Sequence, residues 1–316
     1  MKERRQPKRH VALVGCTASG KSELALALAD RRPEAELVSV DSMSLYRRMD
    51  IGTAKPSPEE RARVAHHLLD VVDPCEEFTV RRFQEMANQA LVQIEERGHR
   101  ALLVAGTALY LRAVVDDLKL PGRWPEVALA LEREAERPGG LAELHCRLVK
   151  LDPKAAARIE PGNRRRLVRA LEVTIGSGLR FSSFGPGLDC HPPSRFVLVG
   201  VAFDPDLQDA RIESRFEAML DAGLVDEVRD LAGFPGGISR TARQALGYRE
   251  LLAHVERGVP LEEAVAEAVA RTKAFARRQR AWFRRDPRIT WLDSSRDLLP
   301  QLLELWDAEP ATVVGD

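Results

Sequence analysis

Hydrophobic and polar positions along this chain change period twice. The first third alternates short apolar runs, HVALVG, ELVSVD and ALLVAGT, with amphipathic stretches of helical period, KSELALALADR and FQEMANQALVQIEER. Strands separated by helices in this way predict βαβ units around a parallel sheet. From 118 to 193 the β-branched runs stop and helical segments follow, PEVALALEREAER, LAELHCRLVKLD and NRRRLVRALEVTI, closed by the Gly/Pro-rich linker GSGLRFSSFGPGLDCHPPS. Strand character returns in FVLVGVAFD, then come RIESRFEAMLDAGLVDEVRDL, LEEAVAEAVARTKAFARRQRAWFRR and a last short strand, ITWLD. The expected fold is therefore α/β: a core with a parallel sheet, formed by 1–117 and 194–316, plus a helical insertion domain over 118–193.

With 316 residues and 44% hydrophobic content, the chain can bury such a core and an appendage. No apolar run approaches the roughly 18 residues of a membrane span. The start MKERRQPKRH-VALVG imitates a signal peptide only faintly, because the apolar stretch is short and runs into a glycine loop without a cleavage site. The chain reads as cytoplasmic, and nothing in it demands more than a monomer. Its cysteines, Cys16, Cys75, Cys146 and Cys190, are scattered and lack zinc spacing. Lys plus Arg and Asp plus Glu are 48 each, so any argument for a nucleic-acid partner must come from local clusters.

Gly15, Cys16, Thr17, Ala18, Ser19, Gly20, Lys21 and Ser22 satisfy the phosphate-loop pattern GxxxxGK[ST], with a strand before and an Ala/Leu-rich helix after. In such a loop backbone N–H groups face phosphate oxygens, the lysine supplies charge, and the serine hydroxyl can ligate Mg²⁺. The loop makes the expected core a P-loop NTPase-like one, and alone it admits ATP, GTP or another diphosphate. Asp41, ending ELVSVD, belongs at the C-terminal edge of its strand, where open α/β sheets bind ligands. An aspartate there can equally cap a turn. ALLVAGT delivers Thr107 to the same edge, either as a group touching a leaving oxygen or as a helix N-cap.

Taken together these motifs resemble the tRNA dimethylallyltransferases, also called tRNA isopentenyltransferases. The resemblance runs through GCTASGKS, DSMSLYRRMDIGTAKP, HHLLDVVDP, AGTALY, NRRRLVRALEV, GLVDEV, ARQALGYRE and ARRQRAWFRRD, in the family's order and over nearly the whole chain. The chain departs from the family pattern at Cys16 (usually Pro), Ser44 (usually Gln), Ala105 (usually Gly) and Ala128 (often Arg).

The resemblance implies that the loop holds dimethylallyl diphosphate with Mg²⁺ on Ser22, and that the prenyl group goes to N6 of the adenosine at position 37 of tRNA, releasing diphosphate. It implies catalytic roles for Asp41 as base, Thr107 on the leaving oxygen, and Lys21 and Arg215 on the diphosphate, with Arg211 one turn from Arg215. The anticodon stem-loop is the implied partner, and the target base must leave its stack. RNA contacts are expected from Asp41, Ser42, Met43 and Ser44, from Arg165, Arg166 and Arg169 in the insertion, from Gln244, Gly247, Tyr248 and Arg249, and from Arg277 and Arg280. The basic helices can also be solvated faces, and Tyr248 a packing residue. His66 and His67 match a family motif and read as structural. An adenylate isopentenyltransferase, a small-molecule P-loop kinase and an RNA-binding module with a vestigial loop are the competing readings. Against the first two stand the basic helices, which a mononucleotide does not require; against the third stand the intact Lys21, Ser22 and Asp41.

Overall fold

A computed structural model describes residues 9–185, 187–188, 190–202 and 204–308. The first eight residues, the linker positions Pro186 and Asp189, and Phe203 at the end of the expected strand FVLVGVAFD lie outside the described residues. The described chain divides into two compact units, one running up to Asp116 and resuming at Pro193, the other spanning Asp117–Pro192.

The larger unit is built on a six-stranded sheet. Its strands are β1 (Val11–Gly15), β2 (Ala35–Val40), β3 (His66–His67), β4 (Arg100–Ala105), β5 (Val197–Val201) and β6 (Thr290–Leu292). Every pairing is parallel, in the order β3-β2-β4-β1-β5-β6. The inner strands of such a sheet are buried on both faces, which is why β1 and β5 are continuous apolar runs rather than alternating ones. Ala12 and Val14 join one core with Val38, Val40, Leu103 and Phe83, while Val11 and Leu13 join the opposite core with Leu28, Leu37, Leu102 and Trp306. The pleat thus sends successive residues of β1 into different cores.

Parallel strands put all their C-terminal ends on one edge. Val14 pairs with Ala105, and Val40 pairs with the same Ala105 from the other side. The loop after β1, the turn after β2 and the turn after β4 therefore emerge side by side. That edge is where the candidate chemistry lies.

The helical run expected over RIESRFEAMLDAGLVDEVRDL is two helices, Pro205–Asp221 and Leu224–Ala232. Gly223, at φ 96°, separates them in a left-handed conformation that a side chain would strain. The helices not anticipated from the pattern include Tyr248–Arg257 and Leu298–Asp307. The second places the indole of Trp306, fully buried, beneath the guanidinium of Arg100, 4.2 Å from the ring centre.

The smaller unit comprises helices Pro125–Ala135, Gly140–Leu151, Pro153–Ala156 and Arg164–Ser177 with a 3-10 turn at Phe181–Phe184. Leu131, Leu144, Leu148, Leu167, Val168 and Leu171 form its own core. Buried Asp152 caps the short third helix through Ala155 N–H and also accepts from Ser182 N–H and Oγ, tying the end of the unit back to its middle. The indole of Trp124 lies against Gly176, where an added Cβ would fall 2.2 Å from the ring.

Candidate active site

The phosphate loop is shaped from inside. Ala18 takes φ 58° and Gly20 φ 81°, the left-handed turn that aims successive N–H groups toward one point. Gly15 is required by closeness: a Cβ there would sit 2.7 Å from Oγ of Ser19. That hydroxyl is buried and has no hydrogen-bond partner, an orphaned donor inside an anion-binding loop. Cys16, the departure from proline, packs with Ile212 and Ala276 in a small cluster beneath the loop. Burial pushes its thiol up, although a hydrogen bond with Gln208 and the cations Arg280, Lys21 and Arg284 oppose this. A protonated, buried thiol is chemically inert.

Lys21 opens the helix Lys21–Arg31 and folds back so that Nζ donates to the Cys16 carbonyl at 3.0 Å. Burial pulls its ammonium down to about 8 against the raising effect of Asp41, and Arg215 lowers it further. Arg215, half-buried on Pro205–Asp221, is likewise lowered by burial and favoured by Asp41 and Glu23. Arg211 lies one turn earlier, its guanidinium close to Gly20. Lys21, Arg215, Asp41 and Glu23 thus share one electrostatic neighbourhood around the loop. Ser22 is exposed on the first turn of the helix.

Asp41 directly follows β2. Its Oδ1 accepts the N–H groups of Met43 (2.7 Å) and Ser44 (3.3 Å), so the turn-capping reading describes one of its oxygens. Thr107 stands at the N-cap of Ala108–Val115, yet its side chain makes no capping bond. Oγ1 instead accepts the N–H of Ser42 at 3.3 Å, which joins the two turns. Ser42 and Met43 are half-buried, and Met43 packs on the core. Ser44 is buried, with Oγ on Oγ of Ser39 at 2.8 Å, and so faces inward rather than toward an RNA.

Two residues that sequence reasoning did not single out hold this loop. Gln208, fully buried, donates Nε2 to the Thr17 carbonyl at 2.7 Å. Gln279 accepts the Thr17 N–H at 2.9 Å and donates to the Gly106 carbonyl at 2.7 Å. The Thr17 N–H, counted among the loop's phosphate donors, is therefore committed to Gln279. Position alone offered one signal: Gln279 falls on the helix face shared with buried Ala276 and Phe283.

The remaining candidates separate into exposed and internally engaged residues. Arg165 and Arg166 are exposed on Arg164–Ser177. Arg169, expected beside them, is instead an internal brace: Nη2 donates to the carbonyls of Pro121 (3.0 Å) and Gly122 (2.8 Å), and Nη1 pairs with Glu172 at 2.7 Å. Gln244 and Arg249 are exposed. Tyr248 is not: it is buried, its phenol donates to Glu227 at 2.6 Å, and its ring lies where a Cβ on Gly52 would go. Burial and the neighbouring carboxylate push that phenol far above its usual range. Gly247, at φ 85°, is buried against Phe216 and starts the helix. The Tyr248 and Gly247 expectation is thereby corrected from RNA contact to packing. Arg277 is exposed, and Arg280 is half-buried with Nη1 buried and without a hydrogen-bond partner.

His66 and His67 have partners invisible in the sequence. His66 Nδ1 lies 2.7 Å from the Val64 carbonyl, and His67 Nε2 lies 2.6 Å from Glu36 at the opposite end of β2 from Asp41. Asp70 of the same motif binds Lys55 and Arg61. Glu227 accepts the N–H groups of Asp50, Ile51 and Gly52, so the DIGTAKP segment is pinned from two sides.

A family model described as IPP transferase matches residues 44–286. A tRNA dimethylallyltransferase of Kineococcus radiotolerans is 48% identical over 306 residues, covering 93% of this chain and 95% of its own length. One from Streptomyces coelicolor is 46% identical over 297 residues, covering 93% and 94%. Among solved structures, the full-length tRNA isopentenylpyrophosphate transferase of Bacillus halodurans superimposes with a TM-score of 0.68 at 36% identity, covering 95% of each chain. A eukaryotic dimethylallyltransferase acting on tRNA shares the fold at a TM-score of 0.76 and 24% identity, over 94% of this chain and 78% of its own. The matched segment runs from Ser44 through the helix that carries Gln279, and with relatives of this identity over nearly full length the chain belongs to the IPP transferase family.

Proposed function

We propose that this chain transfers the dimethylallyl group of dimethylallyl diphosphate to N6 of the adenosine at position 37 of tRNA and releases diphosphate. The observation that carries this reading is the meeting of an anion loop and a carboxylate at one sheet edge: Lys21 and Arg215 both lie within electrostatic reach of Asp41. A phosphate loop alone grips an anion. A base beside it accounts for a nucleophile that must lose a proton.

N6 attacks C1 of the prenyl group, the C1–O bond breaks with its electron pair leaving on the diphosphate, and the N6 proton passes to Asp41. Oδ1 of Asp41 is held by two backbone N–H groups, which orients its second oxygen as the acceptor. Lys21, Arg215 and the loop N–H groups neutralise the charge that grows on the leaving group, the preorganised electrostatics that contribute most in a water-poor site. Thr107 Oγ1 accepts from Ser42, which leaves its own hydroxyl proton available for donation to the leaving oxygen. The orphaned Ser19 hydroxyl and Arg280 Nη1 are further donors suited to an anion.

Ser22, exposed on the first turn, fits a magnesium ion, which takes few protein ligands and shares its shell with phosphate oxygens and water. Bound there, the ion would supply additional neutralisation of the diphosphate. The anticodon stem-loop offers unstacked bases and phosphates, matched by Arg165 and Arg166 on the insertion and by Gln244, Arg249 and Arg277 on the core, all exposed.

The test is direct. Purified protein is incubated with Mg²⁺, radiolabelled dimethylallyl diphosphate and either unmodified tRNA or AMP. Label is expected in tRNA. Label in AMP alone would show an adenylate isopentenyltransferase, and ATP turnover without prenyl transfer would show a kinase. Asp41→Ala should abolish transfer while tRNA affinity stays nearly intact; a parallel loss of affinity would make Asp41 an RNA ligand rather than the base.

A further inference from the structure

Beyond the paired ends of β1 and β4, at Val14 and Ala105, the sheet ladder no longer sets the distance between the phosphate loop and the Thr107 turn. Gln279 spans that gap. Its Oε1 accepts the Thr17 N–H and its Nε2 donates to the carbonyl of Gly106, the residue before Thr107. An amide presents an acceptor and donors in one plane, which is what a bridge between an N–H and a C=O requires. Gln279 is 5% exposed, so the bridge is shielded from competing water, and either end left unpaired there would have no solvent to replace it.

A Cβ on Gly106 would stand 3.4 Å from Nε2 of Gln279 and 3.7 Å from Nζ of Lys21, so both side chains approach this residue to van der Waals distance. Gln208 holds the other backbone polar group of Thr17. Thr17 is thus clamped on both its N–H and its carbonyl, and it is the Gln279 side of the clamp that reaches the threonine turn.

We infer that Gln279 is a positioning residue for prenyl transfer: it fixes the Thr107 hydroxyl relative to a loop-bound diphosphate, at the separation where the leaving oxygen receives its hydrogen bond as the C–O bond breaks. Gln208 supports this by anchoring the carbonyl of the same loop residue. The inference rests on the reading of the loop as the diphosphate grip. Its signature is kinetic. An interaction needed only as the bond breaks lowers kcat and spares ground-state binding.

Two variants separate the possibilities. Gln279→Glu keeps the acceptor but, as a carboxylate, loses the donor to Gly106; Gln279→Leu loses both. Steady-state transfer to unmodified tRNA should show kcat lowered by about 10- to 100-fold in each, with KM for dimethylallyl diphosphate within about threefold of wild type. Either variant, folded, with kcat within about twofold of wild type would overturn the inference, as would a raised KM at unchanged kcat. If Gln279→Leu does not fold, Gln279→Glu decides. If neither folds, Gln279 is a fold residue and the inference fails. Titration of the wild-type protein with inorganic diphosphate and Mg²⁺ guards the underlying reading: absence of binding there overturns the diphosphate grip itself, independently of either variant.

Discussion

The backbone N–H of Ser42 donates to Oγ1 of Thr107 at 3.3 Å, linking the turn that carries the candidate base to the turn that carries the candidate leaving-group donor. Because β2 and β4 are adjacent and parallel, both turns rise from the same edge, and one hydrogen bond suffices to orient the threonine hydroxyl. Thr107→Val preserves shape and removes that hydroxyl. Transfer should slow by about 10²-fold, the order found when one donor to a developing oxyanion is deleted. Stopped-flow or single-turnover assays with labelled donor check this, and the melting temperature should fall only slightly, because the side chain caps no helix and the lost bond from Ser42 is a long one.

Lys21 makes the phosphate loop sensitive to alkali. Burial holds its ammonium down to about 8. Below that pH the group is charged and attracts a diphosphate; above it, the proton is lost and attraction weakens. Affinity for inorganic diphosphate, measured by calorimetry, should therefore fall as pH rises from 7 to 9. Lys21→Met should bind weakly throughout and lose this pH dependence. A bound diphosphate favours the charged form, so the limb in the complex should lie at higher pH than in the free protein.

Glu36 governs acid stability from the opposite end of β2. Burial alone would raise its carboxyl, but hydrogen bonds from Arg97, His67 and His99 outweigh this and bring it down to about 2. A carboxyl depressed in the folded state contributes stability that is present above its unfolded value, near 4.5, and is lost as pH falls toward 2. Glu36→Gln should cost up to about 3 kcal/mol at pH 7 and far less near pH 2. Urea unfolding at the two pH values measures the difference.

The exposed arginines should make tRNA binding dependent on salt. Removing one arginine that neutralises a phosphate should lower the magnitude of the slope of log K against log salt by about 0.7 for single-stranded RNA. Arg165→Ala with Arg166→Ala should lower both affinity and slope. Arg169→Ala should behave differently, lowering thermal stability through the freed Pro121 and Gly122 carbonyls and the buried Glu172. Filter binding across a salt series, paired with thermal melts, separates the two effects.

Much of the architecture was legible in the sequence because it depends on local rules. A strand, a glycine loop and a helix in succession can form little other than an anion site, and apolar runs ending at Gly15, Val40 and Ala105 place their following residues on a common edge once the sheet is parallel. The side-chain order within that edge was another matter. Thr17 meets Gln208 and Gln279 across 191 and 262 residues of chain, and a helical period shows only that Gln279 lies on an inward face, not which groups await it there. The same limit hid the partner of His67 and gave Arg169 and Tyr248 to the RNA when the fold had turned both inward. Local patterning was enough to establish the sheet apart from its short edge strand β3, the loop, and the edge on which chemistry can occur. How the loop is clamped, and which arginines remain exposed for a partner, was settled only where distant segments cross, because a buried donor takes whatever acceptor the closed fold brings within reach.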